Sequence, residues 1–283
     1  MVFGGKSVSF KPEKDIPSLD GKVVLVTGGN IGLGKQSVLE FARHGPAQIW
    51  LAARSLDKAK AAADEIKQQV PNAAPIRLLE LDLSSFESVK KAAATFSAES
   101  DRLDILMLNA GIMAAPPGMT KDGYEIQFGT NHMGHALLTK LLLPTLEKTA
   151  KSDGSADVRI VSLSSHGHIK LANILWARQM AKLYPQFTTA AIHPGVVKTN
   201  LMVGATGSPL IIRILGKVAY SLLTPVEQGA RNQLWASVSK DVKSGEYYEP
   251  VGVGDLVSAN GKDDNLMKKI WDWTEKELEG HVA

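Results

Sequence analysis

The sequence predicts an α/β fold, a doubly wound parallel sheet with helices on both faces, in a single domain. Short apolar runs alternate with longer amphipathic ones, the rhythm of βαβ units. The first apolar run, Lys22–Thr27, leads directly into a glycine cluster and a helix. The chain has 283 residues, 44% of them hydrophobic and 22% charged, which suits one domain with a full core.

Taken in order, KVVLVT at 22–27 is a continuous apolar strand, followed by glycines and a helix through about Arg43. QIWLAA at 48–53 is the second strand, and Leu56–Val70, rich in Ala, Lys and Glu, the second helix. Ile76–Leu81, Ile105–Leu108, Val158–Leu163 and Thr189–Ile192 repeat the strand signal. Long helices are expected over Phe86–Ala98, Tyr124–Lys148 and Lys170–Tyr184. After Pro194 the rhythm breaks: Lys198–Thr224 is mixed and Gly-rich, and Pro225–Lys240 reads as a helix with proline in its first turn. Gly245–Pro250 reads as an edge strand and Asp264–Glu279 as a closing helix. No repeat or long linker divides the chain, so one domain spans 1–283, with its core over about 19–260 and a C-terminal helix at 264–279.

Composition removes several classes of function. A formal charge of +3 is too small and dispersed for a nucleic-acid surface. The absence of cysteine excludes disulfides, thiolate catalysis and cysteine-bound metal, and suits a reducing compartment. Met1–Asp20 is polar and lysine-bearing, unlike a signal peptide, and no apolar run approaches the ~18–20 residues of a membrane span. A soluble cytoplasmic protein is expected. No carboxylate/His cluster has metal-ligand spacing, and His132 and His135 read as packing residues.

Thr27-Gly28-Gly29-Asn30-Ile31-Gly32-Leu33-Gly34 follows the first strand and opens the first helix. Glycines there permit a tight turn and close backbone approach to a pyrophosphate, and the helix N-terminus offers unpaired N–H groups. Its spacing, TGxxxGxG, resembles that of the short-chain dehydrogenase/reductase family, and further motifs fall in family order. Leu81-Asp82-Leu83 resembles the acidic contact to adenine, Asn109-Ala110-Gly111 the family's NAG, and Thr130-Asn131-His132-Met133-Gly134-His135 the segment supplying an asparagine. Lys170-Leu-Ala-Asn173 resembles the helix after the catalytic tyrosine, and His193-Pro194-Gly195-Val196-Val197-Lys198-Thr199 the nicotinamide-side loop. The likeness runs from about Leu19 to the C-terminal helix and is strongest to the fungal and retinol-dehydrogenase-like branch.

The resemblance implies a Rossmann-type fold that binds a nicotinamide dinucleotide and interconverts alcohols with ketones or aldehydes by hydride transfer. It assigns cofactor contacts to Gly28, Gly32, Leu33, Gly34, Asp82, Asn109, Lys170, Val197 and Thr199. It assigns catalytic roles to Asn131, Ser165 and Lys170. Residues 198–224 lie where the family keeps its substrate lid, and their Met, Ile and Leu side chains suit an apolar substrate. The cofactor follows from charge. An NAD(H) enzyme places an acid on the adenosine ribose about 20 residues past the glycine turn. Here the second strand ends Ala52-Ala53-Arg54-Ser55, with an arginine suited to the 2′-phosphate of NADP(H). Leu137, Leu138, Leu141, Leu142, Ile174, Leu175, Met180 and Leu183 form apolar faces, either core or the helix pair through which the family forms a homodimer.

The catalytic set has a gap. In the family a tyrosine moves the proton, and a lysine four residues later lowers its pKa from one helical turn away. That motif, Y-x-x-x-K, is absent. The fourth residues after Tyr124, Tyr184, Tyr220, Tyr247 and Tyr248 are Phe128, Thr188, Thr224, Val251 and Gly252. Lys170 is preceded at that offset by His166, and Ser165 lies five residues before Lys170. The sequence reads as a strand and a helix joined across a lost tyrosine-bearing segment. Five residues still reach about 17 Å when extended, which lets both elements stay in place. His166 mimics the lost spacing, but Gly167 disfavours a helical turn there. Two functions follow: an oxidoreductase whose tyrosine is missing, or a catalytically impaired nucleotide-binding pseudoenzyme.

Overall fold

The computed structural model describes residues 7–152, 156–164, 168–197 and 223–282, with the side chains of 168–170 excepted. Seven parallel strands form one sheet in the order β3-β2-β1-β4-β5-β6-β7. They are β1 (Val23–Thr27), β2 (Gln48–Ala53), β3 (Ile76–Glu80), β4 (Ile105–Leu108), β5 (Val158–Leu163), β6 (Phe187–Ile192) and β7 (Tyr247–Tyr248). The strand order reverses between β1 and β4, which opens a crevice at their C-terminal ends, the ligand position of such sheets.

The strands are apolar throughout because both faces are buried. Along β1, Val23 and Leu25 enter the core on one face, and Val24 and Val26 the core on the other. The first core is closed by α4 (Phe86–Glu99), α6 (Gly134–Ser152) and α7 (His168–Leu183), with Trp50 and Phe96 meeting edge-to-face at 5.1 Å. The second is closed by α2 (Gly32–Arg43), α3 (Leu56–Gln69) and α9 (Arg231–Val238), with a short α1 (Pro12–Asp15) at its margin.

The helix read over Tyr124–Lys148 is interrupted. Ile126–Phe128 forms a single turn, α5, and Gly129–Met133 a π-helical turn leading into α6. Gly129 sits tightly against the loop before it: a Cβ there would lie 2.3 Å from Thr120 Cγ2. The helix read over Pro225–Lys240 is likewise two pieces, α8 (Val226–Gly229) and α9, and the last strand has two residues. A short α10 (Ala259–Lys262) precedes the closing helix α11 (Asp264–Glu277). Val197 pairs with Thr224; residues 198–222, most of the segment expected to be a lid, lie outside the described residues.

α11 packs along α7, with Met267 and Thr274 buried. Glu275 pairs with Lys140 of α6, and Asp264 with Arg178 and Lys182 of α7. The apolar faces of α6 and α7 are therefore largely core of this chain: Leu137, Leu138, Leu142, Leu175 and Met180 are buried, and Leu183 is exposed. No helix among the described residues is long and apolar enough to cross a membrane.

Candidate active site

Parallel register brings the C-terminal ends of the strands together. Thr27 lies opposite Ala52, Ala53 opposite Glu80, and Leu108 opposite Ser162. Thr27, Arg54, Asp82 and Asn109 therefore share one rim.

The turn after β1 needs its glycines. Gly28 and Gly32 have φ of +66° and +53°, a region that side chains avoid. A Cβ on Gly34 would lie 2.2 Å from the Gly28 carbonyl oxygen and 2.5 Å from Asn109 Nδ2. The first turn of α2 thus rests directly on the β1 turn. Three other long helices, α3, α4 and α11, carry side-chain caps: Ser55 Oγ accepts from Lys58 N and Ser85 Oγ from Ser88 N, both at 3.4 Å, and Asp263 Oδ1 from Asn265 N and Leu266 N at 2.8 and 3.0 Å. α2 has Ile31 at its N-cap, with no side-chain cap and no acid in its first turn. Its leading N–H groups and positive dipole end therefore face the crevice, as a phosphate site requires.

Asn109, assigned to the cofactor by sequence, braces this turn: its Nδ2 donates to Thr27 O at 2.8 Å, and its Oδ1 accepts from Gln233 Nε2 at 3.4 Å. Asp82 Oδ1 accepts from Ser84 N and Ser84 Oγ at 3.0 and 2.6 Å, which fixes the loop after β3. Arg54 is exposed at the end of β2. Val197 is buried, and a Cβ on Gly229 would lie 2.5 Å from its Cγ2. Leu33 sits at the rim of the second core beside Gly229.

Asn131 lies in the π-helical turn. Its Nδ2 donates to Ile112 O and its Oδ1 accepts from Ile112 N, both at 2.8 Å, so its amide holds the loop after β4 from both sides. Its own carbonyl oxygen accepts from Asn173 Nδ2 at 3.3 Å and from His135 Nδ1 at 3.2 Å. A carbonyl cannot donate, so the proton in that contact is on His135 Nδ1. His135 Nε2 lies 2.9 Å from Thr27 Oγ1, which also lies 3.4 Å from Met107 O and accepts from Ala110 N at 3.0 Å. A chain of hydrogen bonds thus joins the glycine turn to Asn131.

A second buried chain enters from α11. His132 lies 2.9 Å from Thr274 Oγ1 and 3.3 Å from Asn173 Oδ1, and Asn173 Nδ2 also donates to Leu163 O at 3.2 Å. Burial pushes the His132 pKa down to about 4, so it is neutral at pH 7. A protonated His132 is disfavoured in the folded state, so stability is full above about pH 6.5 and falls as pH drops toward 4. The loss reaches about 3 kcal/mol at the lower end. Urea unfolding from pH 7 to 4 should show this decline, and His132→Asn should flatten it.

The structure brings together the glycine turn, Arg54, Asp82, Asn109, Asn131 and the helix bearing Lys170. Ser165, His166, Thr199 and the Lys170 side chain lie outside the described residues; α7 begins at His168, two residues before Lys170. Four tyrosines are described, and two of them donate to a carboxylate. Tyr124 donates to Glu277 at 2.8 Å, and burial with that carboxylate pushes its pKa up to about 12. Tyr247 donates to Glu249 at 2.6 Å, and burial likewise raises its pKa. Tyr184 stacks on Phe187, and Tyr248 Oη accepts from Lys243 N at 2.7 Å. No described residues form a group able to hold a metal ion.

Sequence reasoning missed Asn173 and Gln233, two buried amides that tie the site together. The first sits within the motif Lys170-Leu-Ala-Asn173, where its polar character on a core-facing helix was the available signal.

Comparison with known proteins agrees with this geometry. The family model for short chain dehydrogenase matches residues 22–207. The short-chain dehydrogenase/reductase drtF of Aspergillus calidoustus is 37% identical over 303 positions, covering 93% of this chain and 95% of that protein. Those 303 positions exceed the 283 residues present here, so the relative holds stretches with no counterpart in this chain. Human retinol dehydrogenase 13 is 34% identical, covering 90% of this chain and 83% of its own. Among solved structures, a protein from Mycobacterium Paratuberculosis superposes with a TM-score of 0.69 at 27% identity, covering 94% of this chain and 97% of that one. NADPH-bound carbonyl reductase from chicken fatty liver shares the fold, with a TM-score of 0.59 at 24% identity, covering 80% and 95%. The chain belongs to the short-chain dehydrogenase family, in its fungal and retinol-dehydrogenase-like branch.

Proposed function

We propose that this oxidoreductase-family chain binds NADP(H) and acts on an alcohol/carbonyl pair, with its proton-transfer step impaired by the missing tyrosine. The observation that carries the reading is the open rim at the end of β1 and β2. Gly34 is seated against Gly28, α2 has an uncapped N-terminus, and Arg54 is exposed one strand away. These groups fit a dinucleotide: backbone N–H groups for the pyrophosphate and a guanidinium for the 2′-phosphate. When bound, the nicotinamide supplies the hydride chemistry.

This chain's own residues bind and orient. Asn131 and Asn173 hold the loop after β4, the end of β5 and the Lys170 helix in one arrangement. Lys170 is assigned to the nicotinamide ribose and Ser165 to the substrate oxygen. Val197 and Thr199 are assigned to the nicotinamide side, and 198–224 to the lid over an apolar substrate.

A second reading, a nucleotide-binding pseudoenzyme, is favoured by the alignment with more positions than this chain has residues and by the carboxylate bonds that engage Tyr124 and Tyr247. NADPH binding followed by carbonyl reduction across an aldehyde and ketone panel separates the two. Slow turnover lost in Lys170→Ala supports the first, and binding with none the second. Turnover lost in His166→Ala would identify a substitute acid.

Cofactor choice is tested at Arg54. A charge-assisted pair of this kind contributes about 1.5–3 kcal/mol, so Arg54→Ala is expected to cut the NADPH-to-NADH affinity ratio by about 10- to 100-fold. An unchanged ratio would remove Arg54 from the 2′-phosphate site.

A further inference from the structure

We infer that Gln233 is a positioning residue of the nucleotide cradle, holding the first turn of α2 and the end of β4 at the separation the pyrophosphate needs. The inference rests on the reading of the glycine turn as a dinucleotide site.

Gln233 lies in α9, distant in sequence from every cradle motif, and is fully buried. Its Nε2 is 2.6 Å from Ser37 Oγ, 3.3 Å from Leu33 O and 3.4 Å from Asn109 Oδ1. The direction of each contact is fixed by chemistry. Ser37 Oγ donates to Leu33 O at 3.0 Å, which leaves its oxygen to accept. Asn109 uses its Nδ2 on Thr27 O, which turns its Oδ1 toward Gln233. Met107 Sδ, at 3.4 Å, is a fourth neighbour, and all four are acceptors, so the nitrogen of Gln233 must face them. The amide therefore bridges both walls of the cradle: Leu33 and Ser37 on α2, and Asn109, which holds the β1 turn.

Packing supports the same bridge. Gly229 of α8 lies against Leu33 and Val197, so α8 and α9 press on the first turn of α2. A buried glutamine is costly unless its hydrogen bonds have a use, and its Oε1 has no partner among the described residues. An apolar side chain of the same length would fill this space without that cost. What the amide adds is a defined spacing between two backbone segments.

The test measures two ligands on the folded protein: NADPH, which spans the cradle, and 2′-AMP, which has the adenosine and 2′-phosphate but no pyrophosphate. Gln233→Met keeps the length and removes the donors. It is expected to weaken NADPH about tenfold, the effect of two lost hydrogen bonds, and to leave 2′-AMP unchanged. Ser37→Ala removes the nearest acceptor, is expected to weaken NADPH about threefold, and decides the matter if Gln233→Met does not fold. Equal weakening of both ligands, or of neither, would overturn the inference. Wild-type protein that binds neither ligand would instead overturn the dinucleotide reading itself.

Discussion

Gly34→Ala is expected to abolish NADPH binding and to destabilise the fold. The added methyl would meet the Gly28 carbonyl oxygen at 2.2 Å and Asn109 Nδ2 at 2.5 Å. The first contact is with backbone at the end of β1, which can move only by opening the turn. Overpacking of this kind costs about 1–3 kcal/mol, and the relief it forces separates the two walls of the phosphate site. Gly45→Ala is the matched control. Gly45 also has a positive φ, +64°, but nothing lies within 4 Å of its Cβ position. It should lose about 1–2 kcal/mol of stability and keep its nucleotide affinity. Fluorescence titration with NADPH and thermal unfolding of both variants separate the close contact from backbone strain.

The second large effect concerns turnover. General acid–base catalysis by a positioned side chain is worth about 10²- to 10⁴-fold in rate. A chain with the cradle, the Asn131 brace and the Lys170 helix, but no tyrosine one turn before Lys170, is expected to reduce carbonyls more slowly by that factor. Restoring the spacing tests this: a chain carrying the relatives' segment between Ser165 and Lys170 should recover the rate with little change in NADPH affinity. Recovery without change in binding places the defect in proton transfer. No recovery would place it in the lid or in the substrate site.

The parts of this site that were legible in the sequence are those set by local rules. QIWLAA, the apolar strand at 48–53, and the glycine turn after β1 were readable because strand periodicity and positive-φ positions act over a few residues. Arg54 was legible as charge at a strand end. The π-helical turn at Gly129–Met133 was not, because no local rule marks a break in the pattern of 124–148. Gln233 and Thr274 were hidden for the same reason. Each acts on residues more than a hundred positions away, and neither belongs to a local motif. Asn109 and Asn131 were found from their motifs; what the sequence did not show is that their amides also brace the rim, Asn131 on the backbone of Ile112 and Asn109 on Thr27 O and the Gln233 side chain.

On the proposed function, the nucleotide half of this site is intact and the proton-transfer half is not. Single-turnover reduction of a carbonyl by NADPH already bound to the protein tests it most directly, because binding and chemistry are read in one sample. The expected result is saturable NADPH binding with a hydride-transfer rate about 10²- to 10⁴-fold below that of the chain with its tyrosine-bearing segment restored. Equal rates in the two proteins, or no NADPH binding by this chain, would contradict it.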